Sequence, residues 1–88
     1  METIKFANGE KHNCTFCAAV PNEAYVAIDD LGFAEAAALF ASPENTTRIV
    51  YGNRAFIGFT TLVMLSVQPY GIQAVLRGGT EQTIESEE

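Results

Sequence analysis

Within six residues, His12-Asn-Cys-Thr-Phe-Cys17, the chain places one imidazole and two thiols, the side chains from which zinc sites and redox centres are built. Whether they act together depends on the backbone between them. Cys-Thr-Phe-Cys is rich in strand formers, and in an extended strand residues three apart point to opposite faces. Cys14 and Cys17 are then predicted to diverge, with alpha carbons roughly 10 Å apart at strand rise, beyond the ~7 Å that a disulfide spans. A zinc site would need a knuckle and a further ligand, and with no other Cys or His in the chain only carboxylates could complete it. A redox pair of the thioredoxin kind needs its first cysteine at a helix N-terminus. The expectation is two small buried thiols, with metal or redox chemistry on Cys14 and Cys17 as the alternative.

Other candidates for chemistry are sparse. His12 is the only histidine, so imidazole acid-base chemistry would have to use it, and its place on an apolar strand face suits a partly buried structural residue. Asp29-Asp30 are neighbours that diverge in direction and precede a helix, which suits a turn. No serine sits in a Gly-x-Ser-x-Gly elbow and no glycine cluster forms a phosphate cradle. The reading is of a non-enzymatic protein with no catalytic residue, cofactor or metal.

The elements that would position these residues follow from turn signals and periodicity. Asn8-Gly9 marks a hairpin. A three-residue loop, Ala7-Asn8-Gly9, puts Phe6 opposite Glu10 and Ile4 opposite His12, so that Ile4, Phe6, His12, Cys14, Phe16 and Ala18 share one face. A two-residue loop would mix apolar with polar on each face, and the hydrophobic pattern selects the former register. Glu23 to Ile28 reads as a third strand. A helix follows, with Gly32 at its N-cap, Phe33, Ala36, Ala37 and Phe40 as its apolar stripe, and Ser42-Pro43 as its end. Thr46 to Tyr51 and the strand from Arg54 form a second hairpin about Gly52-Asn53, pairing Tyr51 with Arg54, Ile49 with Phe56 and Val50 with Ala55. Gly58 is placed to bend the long strand. A turn at Gln68-Pro69-Tyr70-Gly71 leads to a last strand over Ile72 to Leu76. The sum is an α+β domain: a mostly antiparallel sheet of about six strands with one short helix on a face.

With 88 residues there is room for one domain. The net charge is −6, but seven of the eleven acidic residues and all five basic ones precede Gly79, which leaves the body at −2. Glu81, Glu85, Glu87 and Glu88 follow Arg77-Gly78-Gly79, so the expected organisation is a domain over 1–79 and an acidic flexible tail over 80–88. Five scattered basic residues make no face for phosphates, which argues against direct nucleic-acid binding. The longest apolar run, Phe56 to Val67, is shorter than the ~20 residues of a membrane-spanning helix. The remaining candidates are surface groups of the types that dominate binding hot spots: Tyr51 and Arg54 beside one turn, Tyr70 in another, and any outer strand whose unpaired backbone could accept another chain.

Two segments carry a resemblance. Ile4-Lys-Phe-Ala-Asn-Gly-Glu10 and Phe33-Ala-Glu-Ala-Ala-Ala-Leu-Phe-Ala-Ser-Pro-Glu-Asn-Thr-Thr-Arg-Ile49 resemble small proteins encoded near tail genes in prophages of gut Firmicutes, which share an I-x-F-x-[ND]-G start and a helix ending LF-S-x-P-E-x-T-x-x-I. The chain has Ala41 inserted before Ser42 relative to that wording, and the similarity covers about half of it. The resemblance implies a phage-derived protein-binding domain, a tail or baseplate accessory, in the bacterial host cytoplasm or assembled into a phage particle. Its partner would be another protein or a second copy of the chain. A small acidic inhibitor of a bacterial defence nuclease, of the anti-CRISPR kind, is the alternative that the charge suggests.

Overall fold

The computed structural model describes residues 2–85. The first hairpin joins β1 (Glu2–Lys5) to β2 (Lys11–Val20), and its register is the one that the apolar pattern selects: Ile4 faces His12, and the Phe6 N–H donates to the Glu10 carbonyl at 2.9 Å. Gly9 has φ +92°, the left-handed conformation that a three-residue loop needs at its last position. β3 (Glu23–Ile28) pairs with β2, and the chain then enters α1 (Phe33–Ala41) through Gly32. A 3-10 turn over Pro43–Asn45 delivers it to β4 (Arg48–Tyr51). There follow β5 (Arg54–Ile57), β6 (Thr61–Gln68), β7 (Gly71–Arg77) and β8 (Thr80–Thr83).

All pairings are antiparallel, and the sheet runs β6-β7-β3-β2-β1-β4-β5-β8. Among the described residues eight strands replace the expected six for a simple reason. β5 and β6 are halves of one run of chain bent at Gly58, and β7 and β8 are halves of another bent at Gly78-Gly79. The long hairpin over 54–83 thus supplies strands to both ends of the sheet and curls it round on itself. The bend brings backbones into contact: a Cβ at Gly79 would meet the Ile57 carbonyl oxygen and lie 2.7 Å from the Phe59 nitrogen. Thr80–Thr83, expected in a mobile tail, are instead paired residue for residue with Arg54–Ile57, because the bend at Gly78-Gly79 aims them along β5. Glu87 and Glu88 of that tail lie outside the described residues.

The concave side of the sheet holds the core: Ile4, Phe6, Val26, Ile28, Ile49, Phe56, Phe59 and Leu76, with Phe40 of α1 packed edge-on against Phe6 at 5.5 Å between centroids. α1 lies against β6 and β7. Its buried residues are Ala36, Leu39 and Phe40, whereas Phe33, placed in the stripe by periodicity, is 49% exposed. A first-turn residue lies where the helix has only begun to approach the sheet, so the 3.6-residue spacing overstates the stripe by one turn.

Candidate functional site

The largest departure from the sequence reading lies in β2. Cys14 pairs with Ile28 and Phe16 with Ala27, so two β2 residues oppose one step of β3 and Thr15 is the extra residue of a β-bulge. A bulge resets the alternation. Cys14 and Cys17, expected on opposite faces, both enter the core, at 2% and 3% exposure, while Phe16 and Ala18, expected on the core face, turn out of it. The chain departs from a regular extended strand at this one residue. The Cys14 thiol donates to the Phe16 carbonyl at 3.0 Å across the bulge. Burial, with Cys14 nearby as the second cause, pushes the Cys17 thiol far above the ordinary range, so it stays protonated and is a poor nucleophile or metal ligand.

His12 sits at the rim of the same face, its side chain 11% exposed. Its Nε2 lies 2.9 Å from a Glu10 carboxylate oxygen and its Nδ1 3.2 Å from one of Asp30. Each nitrogen thus faces a different carboxylate, and the three side chains do not converge on a common point. Phe6 meets the imidazole edge-on at 5.9 Å. Asp30 also accepts the Asn13 N–H at 2.8 Å, so it ties the start of α1's approach to β2. Among the described residues no group of three or more His, Cys, Asp or Glu side chains could hold a metal ion, and no helix is long and apolar enough to cross a membrane.

The three surface residues singled out by type fall in two places. Tyr51 and Arg54 face each other across the β4–β5 turn, and Arg54 is paired with Glu81 of β8 at 3.1 Å. Tyr51 packs against the core cluster and is only partly exposed. Tyr70 occupies the β6–β7 turn, with β3, β2 and β1 lying between β7 and β4 in the sheet. The bulge holds that turn: Thr15 Oγ1 donates to the Tyr70 carbonyl at 2.7 Å, and Phe16, turned outward, packs on the Tyr70 ring at 5.5 Å. The Tyr70 hydroxyl bonds the Gln73 side chain.

Tyr70 ends a longer feature that residue type alone does not find. Among the described residues six large hydrophobics are exposed, and four of them, Val63, Met64, Val67 and Tyr70, lie within eight consecutive positions along β6 and its turn. β6 is an end strand whose only strand partner among the described residues is β7. From Thr61 to Gln68 it carries no charge and no proline. Its alternation is broken by a register shift between Leu62 and Met64, which leaves Leu62 and Leu65 packed inward and Val63 and Met64 turned out. The signal in the sequence is the same apolar run, Phe56 to Val67, whose second half has one neighbour too few to be covered. Comparison with known protein families, curated proteins and solved structures finds no match to the chain.

Proposed function

We propose that this chain is a non-enzymatic protein-binding domain that docks through the β6 edge and Tyr70. The observation that carries the reading is the exposed apolar segment Val63–Tyr70 on an uncharged end strand. An end strand offers a row of unpaired N–H and C=O groups, and apolar side chains flanking that row add desolvation energy to main-chain pairing. The non-enzymatic part of the reading draws on the burial of both thiols, which keeps them from a substrate. The likeness of Ile4–Glu10 and Phe33–Ile49 to phage tail-region proteins directs the reading toward a tail or baseplate accessory, made in the host cytoplasm and able to join a particle. Tyr51 and Arg54 serve as a second, smaller contact in this scheme.

The net charge of −6 favours one other reading, an acidic inhibitor of a defence nuclease. It ranks second because the exposed patch is neutral, and a surface that imitates nucleic acid would place its carboxylates on the docking face. The test is copurification with phage particles induced from a bacterium that carries the gene. Wild-type protein is expected to copurify and Met64→Glu/Val67→Glu to be lost from the particle fraction. Equal recovery of both, or of neither, would remove the proposal.

A further inference from the structure

The β6 edge is chemically self-complementary. In an antiparallel pair the residues that close a two-residue turn exchange hydrogen bonds, so Gln68 and Gly71, flanking Pro69-Tyr70, set the alternation along β6. Gln68 and Ser66 direct their backbone groups toward β7. Val67 and Leu65 direct theirs away from it, into the space where no strand lies. Two copies of this segment related by a two-fold axis at Ser66 would place Leu65 of each opposite Val67 of the other, which matches both outward N–H groups and both outward carbonyls with partners. Leu65 and Val67 share a face, so the same register sets Val67, at 69% the most exposed large hydrophobic among the described residues, beside the partly buried Leu65 of the other copy.

Charge points to a second copy rather than to a basic partner. Every copy carries −6, and like charges placed opposite one another across a strand pair are destabilising. β6 is a place where two such molecules can meet with no carboxylate in the paired strands, and it offers nothing for a cationic partner to recognise. Natural end strands that remain single are blunted by charge, proline, short length or a bulge; β6, at eight residues, has neither charge nor proline, and its one bulge, between Leu62 and Met64, lies outside the segment Met64 to Gln68 that would pair. We infer that two copies of this chain pair antiparallel through β6, about a two-fold axis at Ser66, into a dimer with one continuous sheet. This rests on the reading of β6 as the docking edge and names the partner that the edge fits.

Light scattering coupled to size exclusion tests it. The wild-type chain is expected at twice its 9.5 kDa mass at high micromolar concentration, and Val67→Glu at 9.5 kDa with an unchanged circular dichroism spectrum. The register has its own test. Two Ser66 alpha carbons facing across a non-hydrogen-bonded pair lie about 4.5 Å apart, within disulfide range. Ser66→Cys is therefore expected to form a covalent dimer under mild oxidation, and Val20→Cys, on an exposed site in β2, to stay uncrosslinked. A wild-type mass of 9.5 kDa at every concentration overturns the dimer. A dimer that survives Val67→Glu, or that crosslinks equally through Val20→Cys, overturns β6 as its seat. If the wild-type chain is monomeric while Met64→Glu/Val67→Glu still abolishes copurification with particles, self-pairing falls and the docking-edge reading stands. A β6-mediated dimer that never accompanies particles has the reverse meaning.

Discussion

The two ends of the sheet are built on opposite terms. β8 is four residues long, has no buried residue, and carries Glu81 in an ion pair with Arg54 of the neighbouring strand. Past it the Ile84 N–H still bonds the Asn53 carbonyl, and the chain then turns acidic. β6 is twice as long, uncharged, and shows Val63, Met64 and Val67 to solvent. Short length and charge are the devices that keep an end strand from recruiting another chain. One end of this sheet uses both and the other uses neither, although the two are halves of the same bent hairpin. The difference teaches that the clustering of exposed apolar side chains is a property of the β6 edge, since none of the exposed large hydrophobics among the described residues lies on β8.

The hinge between the two ends carries the largest expected effect. Gly79→Ala would drive a methyl into the Ile57 carbonyl and against the Phe59 nitrogen, both backbone atoms that cannot swing aside. Overpacking of this kind costs about 3 kcal/mol, and here it should detach β8 from β5. Urea unfolding is expected to show the lost stability, and hydrogen exchange to show β8 amides losing protection while β3 amides keep theirs. A variant as stable as the parent would mean that β8 is not held by the bend, and the contrast between the ends would lose its structural basis.

A second, smaller effect tests how β6 is presented. Thr15→Val keeps the shape of the bulge residue and removes the hydroxyl that bonds the Tyr70 carbonyl. The loss should be about 1 kcal/mol, the net worth of one such bond. Its signature is local, with faster exchange in the β6–β7 turn and weaker dimerisation in light scattering. An unaltered turn would sever the link between the bulge in β2 and the apolar edge.

That link also marks where the sequence stopped being informative. Both hairpin registers were legible, Ile4 with His12 and Tyr51 with Arg54, because a one-residue slip at either would have buried polar groups on a face that must be apolar. The helix bounds at Phe33 and Ala41 were legible from glycine before and Ser-Pro after. The bulge was not. Thr15 looks like any outward strand residue, and what makes it an extra one is its bond to Tyr70, 55 positions away. β8 was hidden for a related reason: Thr-Glu-Gln-Thr has no apolar alternation, and only the bend at Gly78-Gly79 brings it beside β5. Of the residues singled out for binding by type, Tyr70 lies at the end of the apolar edge and Tyr51 and Arg54 lie away from it. Side-chain chemistry suggested single residues, whereas the feature is an uncovered strand.

The charged end of the sheet is expected to be nearly indifferent to its ion pair. Arg54 and Glu81 have side chains 41% and 29% exposed, so Arg54→Ala should cost a few tenths of a kcal/mol and the difference should vanish in molar salt. A loss above ~1 kcal/mol would show that Glu81 holds β8 in place, rather than the bend.

The last effect is a change in pH profile. Glu23 of β3 accepts from the Tyr25 hydroxyl and from Arg77, the β7 residue just before the bend, at 3.0 Å. These bonds, Tyr25 first and Arg77 second, hold its carboxyl below the ordinary 4.5. A carboxyl whose pKa is lowered on folding adds stability above its unfolded value and gives it up as pH falls through the folded one. The contribution of Glu23 is therefore present above about pH 4.5 and declines in more acidic solution. The same bond raises the Tyr25 pKa above 10.0, with Glu23 as the main cause. A group raised on folding adds stability below its unfolded value and loses it as pH climbs through the folded one, so Tyr25 acts at the alkaline limit. Glu23→Gln should flatten the fall in melting temperature below pH 4.5 and also the fall above pH 10, through a single substitution. Because Arg77 pairs with Thr61 on its other side, the variant should loosen the root of β6 more than β8, read as exchange at Thr61 and Leu62 against Thr80 and Glu81. Equal loosening of both would show that the hinge, rather than this clamp, sets the difference between the two ends.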